Sequence, residues 1–237
     1  MPHSLKIFRL WHASYKHILD SAYETDPTLA NRPFEAQLER FFADKVSYSN
    51  YFSVSMKALG HEIMEVICDL EPAQKAWARE RGQSYEDTNW DTEILFAQIE
   101  EYRPDVVYLH SLVSTPMGFA DEIKKRFSFV KLIVGYAGID AHNRQISGLD
   151  LLLVGIPHLC ERYNNKGAST RLVYHGFDTT ILDALKNYNS TDDERYEFTF
   201  LGSSGFGYHH FFTNRFWTLA ELLIKSNLRV WINDNQS

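Results

Sequence analysis

Arg103-Pro104-Asp105-Val106-Val107-Tyr108-Leu109-His110-Ser111 decides how this chain is read. Pro104 cannot continue a helix, so the amphipathic run before it must end there. Val106 to Leu109 is a short, unbroken apolar run with a helical pattern on either side. That setting predicts a parallel strand buried on both faces. His110 and Ser111 then stand at its carboxyl end, the edge of an open α/β sheet where ligands bind.

The pattern extends in both directions. Leu5 to Trp11 reads as a first strand, and the His12-Ala13-Ser14-Tyr15 that follows lacks the glycines of a dinucleotide-binding turn. Residues 20–33 are polar and turn-rich and read as a long loop, a feature often tied to function. Helices are expected over Phe34–Asp44 and Tyr48–Leu59, with Gly60 as the stop. His61–Asp69 is a strand, Glu71–Gly82 a charged helix, 83–90 a polar loop, and Asp91–Tyr102 a helix. Phe119–Phe127 places acids first and bases last, as a helix dipole favours. Strands follow at Val130–Tyr136, Leu149–Gly155 and Thr170–Tyr174, with a short helix over Pro157–Tyr163. About six strands alternating with helices predict an α/β fold: a Rossmann-like parallel sheet with helices on both faces.

A weak helix to Leu185 closes this first domain, residues 1–185. Residues 186–194 are polar and turn-prone and read as a linker. From 195 to 237 the pattern restarts: a strand at Tyr196–Leu201, the turn Gly202-Ser203-Ser204-Gly205, a helix over Phe211–Ser226 and a strand at Leu228–Ile232. Two strands and one helix cannot close a core alone. The expectation is a truncated second Rossmann-like unit, completed by a missing C-terminal half or a second chain.

Composition narrows the function classes. The net charge of −7 argues against a broad basic face for nucleic acid. No apolar stretch approaches the ~18–20 residues of a membrane span, and residues 1–10 are too short and polar for a secretory signal. Cys68 and Cys160 form no CxxC pair and read as reduced thiols in a cytoplasmic protein. The histidines have no zinc spacing: His209 and His210 are adjacent, and His12 and His17 are five apart. A Walker lysine and a GxSxG elbow are both missing.

Three groups could carry chemistry. His110 could accept a proton from a hydroxyl, or serve only as a hydrogen-bonded residue of the sheet edge. Ser111, Ser114 and Thr115 could bind sugar hydroxyls or cap the next helix. Asp140 and His142, beyond the Val130–Tyr136 strand, could pair as base and orienter, or as a helix cap beside an exposed histidine. Tyr15, Tyr48 and Tyr51 are candidates for stacking on a sugar.

The Met56–Glu62 helix stop, the YRPDVVYLHS strand, the LDLLLVGIPHLCERYNNKGA segment, the VYHGFD turn at Val173–Asp178 and the YEFTFLGSSG restart occur in an order that resembles the CgeB-like (spore maturation protein-like) glycosyltransferases of the GT-B superfamily. The resemblance covers roughly residues 45–232. It implies an N-terminal domain that holds the acceptor and a C-terminal domain that holds a nucleotide-sugar donor. The reaction would pass a sugar to a hydroxyl of a glycan or lipid-linked acceptor in polysaccharide biosynthesis, with no bound metal. His175, Gly176 and Asp178 match the family's glycine-aspartate turn, with Gly176 expected at positive φ and Asp178 either fixing the turn or touching substrate. Gly202, Ser203 and Ser204 would face the cleft. A GT-B-type epimerase or hydrolase, and a non-catalytic domain that binds saccharide or protein, are the alternatives.

Overall fold

Asp105 gathers the amino ends of three strands. Its carboxylate accepts the Lys6 N–H at 2.9 Å and pairs with Lys131 Nζ at 2.7 Å, while its carbonyl accepts the Lys131 N–H at 2.8 Å. The computed structural model describes residues 4–13, 16–43, 45, 49–141, 143–186, 198–202, 221, 225 and 228–232. The chain divides into two compact units, Met1–Ile181 and Leu182–Ser237.

The first unit runs β1 (Lys6–Trp11), α1 (Lys16–Thr25), α2 (Phe34–Ala43), α3 (Tyr51–Ala58), β2 (Glu62–Ile67), α4 (Glu71–Glu80), α5 (Trp90–Tyr102) and β3 (Val106–Leu109). It continues through α6 (Phe119–Arg126), β4 (Leu132–Ala137), α7 (Asn143–Ile146), β5 (Leu151–Val154), α8 (Pro157–Asn165) and β6 (Thr170–Leu172), and α9 spans Thr180–Lys186. The six strands form one parallel sheet in the order β2-β1-β3-β4-β5-β6. This is the α/β Rossmann-like arrangement. The chain leaves β1 in one direction to reach β2, then returns past it to β3, so the order reverses between β1 and β3. That is the switch point at which ligands enter open α/β sheets.

Both faces are covered. Phe8, Leu10, Val107, Leu109 and Ile133 pack with Trp77, Ile94, Ile99 and Ile123 of α4, α5 and α6. On the other face Ile7, Ile63, Val106 and Tyr108 meet Phe52 and Met56 of α3. Among these apolar residues lies a buried ion pair, Arg9 with Glu65, adjacent in register across β1 and β2.

Two expectations are corrected. Residues 20–33 are not a loop: α1 extends to Thr25 and a 3-10 turn occupies Leu29–Asn31. Leu19 and Leu29 are buried, and the Tyr23 hydroxyl donates to Gln37 Oε1 at 2.7 Å. A narrow apolar stripe therefore anchors a segment whose other side is polar. Gly60 has the expected positive φ of 90°, but Gly176 does not have a positive φ.

In the second unit, β7 (Phe198–Gly202) and β8 (Leu228–Ile232) pair in parallel, Phe198 opposite Leu228 and Gly202 opposite Ile232. Most of the helix expected over 211–226 lies outside the described residues. Among the described residues, no helix is long and apolar enough to cross a membrane.

Candidate functional site

The carboxyl ends of β1, β3 and β4 open onto a cavity of about 330 Å³, lined by the residues that follow each strand and by His175. The loops after β1 and β3 are tied together: the His12 N–H donates to Ser111 Oγ at 3.1 Å, and the His110 N–H to Leu10 O at 2.9 Å. The cavity therefore sits at the switch point.

Alternation along β3 puts His110 on the same face as Tyr108, and His110 Nδ1 lies 2.9 Å from the Tyr108 hydroxyl. Register between β3 and β4 brings Tyr136 beside it. The His110 and Tyr136 rings stack at 5.1 Å with 8° between their planes. The Tyr136 hydroxyl is 2.7 Å from His175 Nε2. Gly155 leaves room for this contact, because a Cβ there would come within 2.7 Å of the Tyr136 hydroxyl. Gly155→Ala is expected to displace that hydroxyl from His175 and cost about 1–3 kcal/mol, read by urea denaturation against the unaltered chain.

Two of the histidines differ electrostatically. Burial, then the Arg9 guanidinium and His175, push His110 down to about 3. His110 is thus neutral across the working range. Its pKa is lower folded than unfolded, so its contribution to stability is present above the ordinary histidine value and is lost as pH falls from about 6.5 toward 3. Replacing His110 by glutamine is expected to flatten the pH dependence of the unfolding free energy between pH 6.5 and 4.5. His12 is also lowered by burial, but the carboxylates of Asp69 and Asp91 oppose the shift. Its Nδ1 is buried with no hydrogen-bond partner among the described residues.

The candidates named from sequence divide. His110, Ser111 and His175 come together around the cavity, with Ser114 at its rim. Thr115 is buried and donates to Ser111 O at 3.1 Å. The Asp140 carboxylate is engaged elsewhere, accepting from the Tyr163 hydroxyl at 2.9 Å and pairing with Arg162 at 3.0 Å, both on α8. Asp178 accepts from Thr180 N and Oγ1 at 2.8 and 2.6 Å, in the turn that leads into α9. Gly202 ends β7 in the second unit. Tyr15, His142, Ser203 and Ser204 lie outside the described residues. His12 and Tyr136 belong to the cavity but were not among the candidates. Their one signal in the sequence is position at the carboxyl end of a predicted strand.

Among the described residues lining the cavity, none carries a carboxylate, an amine or a guanidinium: besides the histidines, it offers serine hydroxyls, a tyrosine and small or apolar side chains. Among the described residues, no group of three or more His, Cys, Asp or Glu side chains is placed to hold a metal ion.

No protein family model matches the chain, and no curated protein matches it. Among solved structures, it is similar to a crystal structure of a glycosyltransferase from Rickettsia africae ESF-5, with 10% identity and a TM-score of 0.40 over 98% of this chain and 69% of that one.

Proposed function

We propose that the chain serves in glycosyl transfer of the GT-B type, with the cavity at the β1/β3 switch point receiving the acceptor hydroxyl. The observation that carries this reading is the lining: imidazoles, serine hydroxyls and a tyrosine, with no carboxylate, lysine or guanidinium among the described residues. Such a lining suits a neutral hydroxylated ring, whose hydroxyls pair with imidazole and serine and whose apolar face lies on aromatic carbon. The nucleotide-sugar donor and the saccharide or lipid-linked acceptor rest on the motif order in the sequence, and a cytoplasmic location rests on the two unpaired cysteines and the polar residues 1–10. Gly202, Ser203 and Ser204 are proposed for the donor side, and no metal is required.

His12 is the general base in this scheme. It takes the acceptor's hydroxyl proton as the oxygen bonds to the anomeric carbon and the nucleoside diphosphate leaves. Asp69 and Asp91 stabilise the imidazolium that forms. His110 faces Arg9 instead, resists protonation and orients the hydroxyl. Neither Asp140 nor Asp178 has a proposed contact with substrate, because Tyr163 and Arg162 of α8 engage the first carboxylate and Thr180 the second.

Thermal melting of the full chain with UDP-, GDP- and TDP-sugars tests the donor half of the proposal. A donor at a hundredfold excess over its Kd should add about 2.7 kcal/mol of stability. No shift with any donor, in a sample that melts cooperatively, speaks against donor binding by this chain.

A further inference from the structure

We propose that β6, one edge of the six-stranded sheet, pairs antiparallel with β6 of a second copy of this chain, joining two sheets across a two-fold axis. Within the sheet β6 has a neighbour, β5, on one side only. Ser169 O accepts the Leu152 N–H at 2.8 Å, and the Val173 N–H donates to Val154 O at 2.9 Å. Ser169, Arg171 and Val173 therefore turn their backbone groups toward β5, and Thr170, Leu172 and Tyr174 turn theirs outward. Among the described residues, nothing takes the outward N–H or C=O of Leu172 or Tyr174. Thr170 O accepts from the Arg171 guanidinium at 2.9 Å.

The side chains leave this edge open too. Leu172, Val173 and Tyr174 are 38%, 41% and 71% exposed, whereas Ile63 and Glu65 of β2, at the opposite edge, are buried. Residues 169–175 hold no carboxylate, no lysine and no proline, and Arg171 is their one arginine. Sheet edges are usually guarded by charge, proline or cover, and an exposed apolar edge is a template for another strand.

A row of outward N–H and C=O groups calls for an extended backbone rather than a helix or a small molecule. A strand of a different protein would satisfy this edge and leave its own far edge open. A second copy closes both edges at once, as a two-fold interface does. Pairing centred on Leu172 sets it opposite Leu172 of the partner subunit. Thr170 then faces Tyr174 of the partner subunit, and Arg171 faces Val173 of the partner subunit. Outward donors meet outward acceptors, apolar side chains adjoin, and the two arginines are not directly opposed. Pairing centred on Arg171 would oppose the arginines and would need backbone groups that β5 already uses. The Arg171 guanidinium must release Thr170 O, which the Tyr174 N–H of the partner subunit then takes. So short a strand gives a small interface of the weak, reversible class. This inference does not depend on the glycosyl-transfer reading.

The test is sedimentation equilibrium of the full chain in reducing buffer, from about 1 μM to about 1 mM. A reversible monomer–dimer equilibrium is expected. Leu172→Pro removes an outward N–H and no bond to β5, and proline is tolerated on an edge strand. It should raise the dimer Kd about tenfold or more. Arg171→Ala frees the Thr170 carbonyl and should lower the Kd about threefold or more. If Leu172→Pro does not fold, Arg171→Ala decides alone. A chain that stays monomeric over the whole range overturns the proposal. A dimer whose Kd is unchanged in Leu172→Pro, or is not lowered in Arg171→Ala, overturns it equally.

Discussion

Arg9→Met is expected to remove about 3–5 kcal/mol of folding stability, the loss seen when one partner of a buried ion pair is deleted. A domain of this kind has only about 5–15 kcal/mol in hand. The side chains of Arg9 and Glu65 are 2% and 3% exposed. Methionine fills much of the arginine's volume, so the cost comes from the carboxylate left behind rather than from a cavity. Glu65 would keep one bond, from the Trp11 indole at 3.1 Å. It can escape the penalty by taking up a proton, so the deficit should shrink as pH falls. Adding Glu65→Leu to Arg9→Met should recover most of the loss, because two apolar side chains need no solvent. Urea denaturation of the single and double variants at two pH values measures all three effects. The same Arg9 charge helps hold His110 down. In the single variant the His110 pKa should therefore rise toward its ordinary value, which NMR of the imidazole would follow.

His12→Gln is expected to lower kcat/KM for the proposed glycosyl transfer by about 10²–10⁴-fold, the usual contribution of a general base, the role proposed for His12. Glutamine keeps a polar side chain in place but cannot accept the proton. In the unaltered chain the base form must be present. The rate should be flat at neutral pH and fall only below pH 6.5, since burial lowers His12. Asp69→Asn removes a carboxylate that raises His12. The acid limb should therefore move to still lower pH, while the asparagine carbonyl can still accept the Ala13 N–H that Asp69 Oδ1 accepts at 2.9 Å. A merely structural role for Asp69 would change the amplitude of the profile without displacing it.

The strands were legible because most are short, largely apolar runs, as Val106–Leu109 and Leu151–Val154 show, bounded by breaks such as Pro104 or Gly60, and burial on both sheet faces favours that pattern. The helix α1 was hidden for the opposite reason. Only a thin stripe including Leu19 and Tyr23 contacts the core, and the polar remainder, together with the Asp26-Pro27 break, resembles a loop.

Of the site, His110 and Ser111 could be placed because they end a strand, and ligands meet open sheets at strand ends. Their neighbours could not be placed. Tyr136 stacks on His110 through β3–β4 register, and His12 meets Ser111 because β1 and β3 are adjacent in the sheet. Register and strand order are set by packing between distant segments. Asp140 illustrates the reverse. Two residues from His142 in sequence, it is engaged by Tyr163 and Arg162 from a helix about twenty residues further on.

The most direct measurement is mass spectrometry of the products formed by the full chain from a nucleotide-sugar donor and a mixture of saccharide acceptors. The account predicts an acceptor heavier by one sugar residue and a released nucleoside diphosphate, with both reduced in His12→Gln. Conversion of the donor with no acceptor present, or acceptor binding with no turnover of any donor, would contradict it.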